Sequence, residues 1–176
     1  MFDCVFGVRM IVALSSNRNL TRMNYEYSQR IPDASITADV IVGFPGETEE
    51  QFQETLSLME TVVFDSVNTA AYSPRPNTPA ATYDNQIDDA VKQDRLQRIN
   101  ALNKQHATQR RARMLGRTVE VLVEERNVKL PTQVMGRTRH GYIVYLEGDI
   151  DELRGETISV EIEACHAYYL AGKRVL

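Results

Sequence analysis

Two loops and one basic stretch hold most of the side chains in this sequence that could do chemistry. The first loop, Gly43 to Glu47, carries two glycines that would let a ligand approach the backbone closely. The second, Ser73 to Ala80, holds Arg75 between two prolines, a restrained donor fork for a phosphate or carboxylate. The same residues also fit plain tight turns with Arg75 in water, because Gly and Pro are ordinary turn residues. Glu47, Glu49 and Glu50 stand at the start of a helical pattern, where negative charge complements the helix dipole, so they read as terminal charges rather than as an acid/base pair. The third region is a basic island. Residues 92–139 hold 12 Lys and Arg against 4 Asp and Glu, whereas residues 1–91 hold 5 against 13 and residues 140–176 hold 3 against 7. Phosphate contacts depend on local potential, so a chain of net charge -4 can still bind nucleic acid through such an island. Within it Arg117, Arg126, Lys129, Arg137 and Arg139 offer a basic rim, and Tyr142 and Tyr145 offer rings on which bases could stack. The competing expectation puts the tyrosines in a core and the arginines on a solvated face.

Cysteine chemistry is sparse. Cys4 and Cys165 lie at opposite ends of the chain, which argues against a disulfide framework and fits a reducing compartment. His106, His140 and His166 form no metal-ligand spacing with them, and the pair Cys165-His166 reads as structural. No run approaches the roughly 20 apolar residues that span a bilayer, and Asp3 and Arg9 interrupt the apolar start. A cytoplasmic protein with no membrane partner is expected.

The elements that position these residues form two groups. Before Pro32 the signals are poor, with a short strand at Met10 to Leu14 and a short helix at Thr21 to Arg30. Then Ile36, Val40, Ile41 and Val42 make a β-branched run of the kind buried on both faces of a parallel sheet. Thr48 and Gln51 form a capping box, and Phe52, Leu56, Met59 and Val63 recur at helical spacing. A second strand follows at Ser66 to Tyr72, so both distinctive loops leave the C-terminal ends of strands in a βαβ unit, where ligands of parallel sheets bind. One long helix is predicted from Asp88 to Leu115, ended by Gly116. Beyond it lie short strands at Thr118 to Glu124, Gln133 to Arg139, Tyr142 to Leu146, Thr157 to Ala164 and Tyr168 to Ala171, the pattern of a small antiparallel barrel. The domains are therefore 1–115 and 116–176, α/β followed by all-β.

At these residues the chain resembles a known family. Asp39-Val-Ile-Val-Gly-Phe-Pro-Gly-Glu-Thr48 is similar to the DIIVGFPGET signature of MiaB-type tRNA methylthiotransferases, and Tyr72-Ser-Pro-Arg-Pro-Asn-Thr-Pro-Ala80 resembles their YSPRPGTPA. Val91-Lys-Gln-Asp-Arg-Leu-Gln-Arg98 looks like their KxxRLQRL helix, and Gly136-Arg-Thr-Arg139 like the GRTR of their TRAM domain. The resemblance covers residues 34 to 176. It implies the C-terminal portion of a radical-SAM (partial TIM-like) barrel followed by a small antiparallel TRAM β-barrel. It also implies that Val42, Gly43 and Phe44 border an S-adenosylmethionine site, and that Tyr72, Ser73, Arg75 and Asn77 face substrate. Arg117, Lys129, Arg137, Arg139 and Tyr142 would contact RNA, the anticodon stem-loop of a tRNA. Asn77 stands where the family has Gly, a position where Asn also tolerates left-handed backbone angles.

Such enzymes use S-adenosylmethionine and two 4Fe-4S clusters to insert a methylthio group into an isopentenylated adenosine beside the anticodon, and cluster ligands are cysteine thiolates. This sequence has no CxxxCxxC. The chain alone is therefore expected to hold no cluster or cofactor stably, to be inactive, and to bind tRNA, with the missing N-terminal half as a further partner. Two other expectations fit the same residues: a standalone TRAM-type RNA binder without catalysis, and a fragment of the sister family that methylthiolates a ribosomal protein.

Overall fold

β-Branched residues at alternate positions, rather than a continuous run, build the first sheet. In the computed structural model, which describes residues 8–12 and 34–175, strands β1 (Val8–Val12), β2 (Ile36–Val42) and β3 (Ser66–Ala71) are parallel and ordered β1-β2-β3. Strand β1 starts two residues earlier than its sequence pattern suggests, and the helix expected at Thr21 to Arg30 lies outside the described residues. Burial along β2 alternates: Ile36, Ala38, Val40 and Val42 are buried, while Ile41 is 54% exposed. The expectation of a strand covered on both faces is thus corrected. One face packs against Phe52, Met59 and Ile99 of the two helices described next, and among the described residues the other face carries Asp39, which accepts a hydrogen bond from the Asn68 amide at 2.8 Å.

Helix α1 (Glu49–Val62) starts as its sequence dictates. The Thr48 hydroxyl accepts from the Gln51 N–H and the Gln51 side chain accepts from the Thr48 N–H, a complete capping box. It stops at Val63, whose φ of 50° is left-handed, so Val62 rather than Val63 faces the core. Helix α2 (Asp89–Ala112) closes the open edge of β3 with its side chains. Asn103 accepts from the Val67 N–H at 3.1 Å and donates to the Val67 carbonyl at 2.9 Å, replacing the neighbouring strand that this edge lacks among the described residues. The compact units divide between His106 and Ala107, inside α2 rather than at Gly116. The reason is packing: residues 107–112 of the helix group with the second unit, and Met114, just beyond the helix, enters that unit's core.

That second unit is a closed barrel of five strands: β4 (Thr118–Arg126), β5 (Gln133–Thr138), β6 (Ile143–Glu147), β7 (Thr157–Cys165) and β8 (Leu170–Arg174), in the order β4-β5-β6-β8-β7. A short helix, α3 (Ile150–Leu153), separates β6 from β7. The barrel is not wholly antiparallel, because β6 and β8 run parallel. Geometry requires this. Directions cannot alternate all the way round a ring with an odd number of strands, and the parallel contact falls where the chain crosses over through α3. Inward positions Val121, Val123, Val134, Val144, Leu146, Val160, Ile162 and Leu170 fill the interior. Gly136 lies opposite Val123, beside a bulge in β4, where a Cβ would run into the Leu122 carbonyl oxygen and the Val121 side chain. Among the described residues no helix is long and apolar enough to cross a membrane.

Candidate nucleic-acid interface

The outward positions of β5, β6 and β8 form the floor of a cleft of about 600 Å³. Register sets that floor: Met135 pairs with Tyr145 and Tyr145 with Ala171, all on the face turned away from the core. The loop from Asn127 to Thr132 borders it and is ordered by its own hydrogen bonds. The Asn127 side chain accepts from the Lys129 N–H at 3.0 Å and donates to Gln133 at 3.1 Å, while the Asn127 N–H donates to the Gln133 carbonyl at 2.9 Å. The loop between β7 and β8 contributes His166 and Tyr169. Tyr169 stacks on His166 with centroids 4.3 Å apart and meets Tyr145 edge-on at 5.4 Å.

The expected basic rim is divided by this geometry. Lys129 lines the cleft and pairs with no carboxylate among the described residues. Arg126 lines it too, with Asp151 at 3.5 Å, both exposed. Arg137 and Arg139 instead bracket a smaller hollow of about 270 Å³, where they donate to Glu124 at 3.0 Å and Glu120 at 2.7 Å. Lys173 is held by Glu163 and Glu161, whose hydrogen bonds push its pKa up. Arg117 is exposed near the start of β4, its guanidinium beside the Met114 sulfur.

Tyr142 is 3% exposed and belongs to the barrel core, with the Arg111 guanidinium 4.9 Å from its ring centroid and His140 stacked beside it at 5.6 Å. A stacking platform at Tyr142 is therefore corrected to a core residue. Tyr145, three residues on, projects to the other side, as the odd spacing along an extended segment requires. Sequence reasoning missed Tyr169, His166 and Met135. The outward parity of Gln133, Met135 and Arg137 would have found Met135, but only closure of the barrel brings Tyr169 to Tyr145. Burial pushes the Cys165 thiol pKa up, which disfavours the thiolate and agrees with a structural role.

In the first unit the glycine loop is filled from within. The Gly43 N–H donates to the buried Glu47 carboxylate at 2.6 Å, and the space beside its Cα is taken by the methylenes of Lys92. The Gly46 N–H donates to the Asn85 carbonyl at 2.9 Å. The close approach these glycines permit is thus used by the chain itself. Glu47 is more than a helix-terminal charge: it forms a buried ion pair with Arg95 at 2.7 Å, and Arg98 reaches Glu49 at 3.0 Å while lying 4.6 Å over the Phe52 ring. Val42 is in the core, and Phe44 meets Tyr72 edge-on at 5.2 Å. The Tyr72 hydroxyl is buried with no partner among the described residues. Ser73, Arg75 and Asn77 are exposed, and Asn77 has a φ of 64°, the left-handed angle its position demands. Cys165 is the one cysteine among the described residues, and no group of three His, Cys, Asp or Glu among them could hold a metal.

A closed five-stranded barrel with a crossover before its last two strands, and a cleft lined by its second and third strands and by the loops after the first and fourth, has the architecture of small oligonucleotide-binding barrels. Residues 112–175 match the TRAM domain family. A TRAM domain is therefore present, spanning the barrel and the end of α2, and its presence points to RNA as the partner in general terms.

Proposed function

We propose that this chain binds RNA through the cleft of its TRAM barrel, with the anticodon stem-loop of a tRNA as its ligand. The observation that carries the reading is the coincidence of Lys129, Arg126 and two phenol rings on the one face that such barrels offer to oligonucleotides. The tRNA assignment draws on the resemblance of the two strand-end loops to MiaB-type methylthiotransferases. In that reading the three parallel strands and their helices are part of a radical-SAM barrel, and the chain on its own carries no methylthiolation because it lacks the cysteines. The same ancestry assigns Val42, Gly43 and Phe44 to the border of an S-adenosylmethionine site and Tyr72, Ser73, Arg75 and Asn77 to substrate. The partnerless Tyr72 hydroxyl supports a polar ligand there, whereas Lys92 already fills the space beside Gly43.

The test is a titration of an anticodon stem-loop RNA at several salt concentrations. Each phosphate contact adds about 0.9 to the slope of log K against log salt for duplexes and about 0.7 for single strands. Arg126→Ala with Lys129→Ala should lower that slope by about one to two and weaken binding more than Arg137→Ala with Arg139→Ala, whose guanidiniums already have carboxylate partners. Absence of any salt-dependent RNA binding would refute the reading, and a larger effect from the second pair would move the interface to the other hollow.

A further inference from the structure

Charge alone does not account for the shape and lining of the cleft. A surface made only to attract phosphates needs cations on an open face, yet here the floor is Met135, Tyr145 and Ala171, and Tyr169 and the half-exposed Leu130 stand beside it. Neither phenol hydroxyl makes a hydrogen bond among the described residues, so both are free to meet a ligand. Tyr169 is held in place from behind: His166 stacks on it, and the His166 N–H donates to the Tyr169 carbonyl at 2.9 Å. The loop beside Lys129 is likewise fixed by Asn127 before any ligand arrives.

We infer that this cleft seats an unstacked nucleobase from an unpaired stretch of RNA, its plane against one ring of the edge-on Tyr145–Tyr169 pair and its neighbouring phosphate at Lys129. The inference rests on RNA binding by the barrel and narrows the ligand to unpaired strands. Volume supports it, since about 600 Å³ lies within the range of roughly 300 to 1,000 Å³ that accepts small organic ligands. A duplex keeps its bases stacked and presents a shallow groove and phosphates, none of which enters a concave space lined by rings and aliphatic side chains. An unpaired base does enter, and it gains stacking that is indifferent to its identity because every base has a π face. Sequence preference within the slot then comes from the two phenol hydroxyls rather than from the charges.

The experiment uses the full chain and two fluorescent RNAs, an unpaired oligoribonucleotide and the same strand annealed to its complement, titrated by anisotropy at two salt concentrations. The unpaired strand should bind at least about tenfold more tightly. Tyr169→Leu, which keeps apolar bulk and removes the ring, should weaken the unpaired strand about five- to tenfold, more than it weakens the duplex, and leave the salt slope unchanged. A 2-aminopurine in the unpaired strand should change fluorescence on binding the wild type and much less on binding the variant, whose melting curve shows that it is folded. Duplex binding as tight as that of the unpaired strand, or unchanged binding by Tyr169→Leu, overturns the base slot. In that case salt-dependent binding of both RNAs leaves RNA binding standing, whereas failure to bind either RNA removes both proposals.

Discussion

The parallel unit and the barrel share one basic stretch of sequence and use it in opposite ways. In the parallel unit Lys92 and Arg95 are buried, Arg95 pairs with Glu47, and Arg98 covers Phe52 while reaching Glu49, whereas Lys104 is exposed. In the barrel Arg126, Lys129, Arg137 and Arg139 stay at the surface, and Lys129 and Arg126 border a cleft. A run of positive residues thus becomes a potential only where the fold withholds its counter-charges, which among these four it does for Lys129, since Arg126, Arg137 and Arg139 each face a carboxylate. Lys92 and Arg95 are thus spent inside the packing of a loop, and Arg98 lies over it.

The contrast breaks first at Arg95. Arg95→Met leaves the Glu47 carboxylate buried without its cation and should cost about 3 to 5 kcal/mol, seen as loss of helical circular dichroism at lower urea concentration. Adding Glu47→Gln should recover much of that loss, and strictly additive costs would show that the pair is not coupled. The barrel's counterpart is Gly136, whose Cβ would meet the Leu122 carbonyl oxygen. Gly136→Ala should destabilise the barrel by about 1 to 3 kcal/mol and lower its melting temperature, and an unshifted transition would mean that β4 relaxes freely at its bulge.

The smallest effect is at Glu49. The Gln53 hydrogen bond, aided by Arg98 and Arg95 against slight desolvation, holds its carboxyl below the ordinary value of 4.5. A depressed pKa contributes stability above the unfolded value that is lost as pH falls through the folded one. Glu49→Gln should therefore lower stability near neutral pH by no more than about a few tenths of a kcal/mol, since the side chain is half exposed and screened. Wild type and variant should converge as the pH drops below 4.5, and a constant gap down to strongly acid pH would remove ionisation as the cause.

Much of the fold was legible. The capping box at Thr48, the strand from Ile36 to Val42 and the five barrel strands all follow from local rules, because caps and periodicities act over a few residues. The expected small antiparallel barrel is present with one parallel contact, between β6 and β8, which the sequence pattern did not show because strand direction depends on how many strands close the ring. Of the site, Lys129, Arg126 and Tyr145 were legible as types in a basic stretch. Tyr142 was misassigned to the surface because its neighbour at an odd spacing had to take the other side.

By itself the sequence determined where the first helix and the barrel strands begin to within about two residues, which residues could carry charge to a phosphate, and how few cysteines it holds. Only the tertiary structure decided which cations remain available and which rings meet. Arg95 finds Glu47 across 48 residues, and Tyr145 meets Tyr169 only because β8 closes the barrel beside β6. Such pairings are set by chain crossing and packing rather than by any local preference, so no window of sequence contains them.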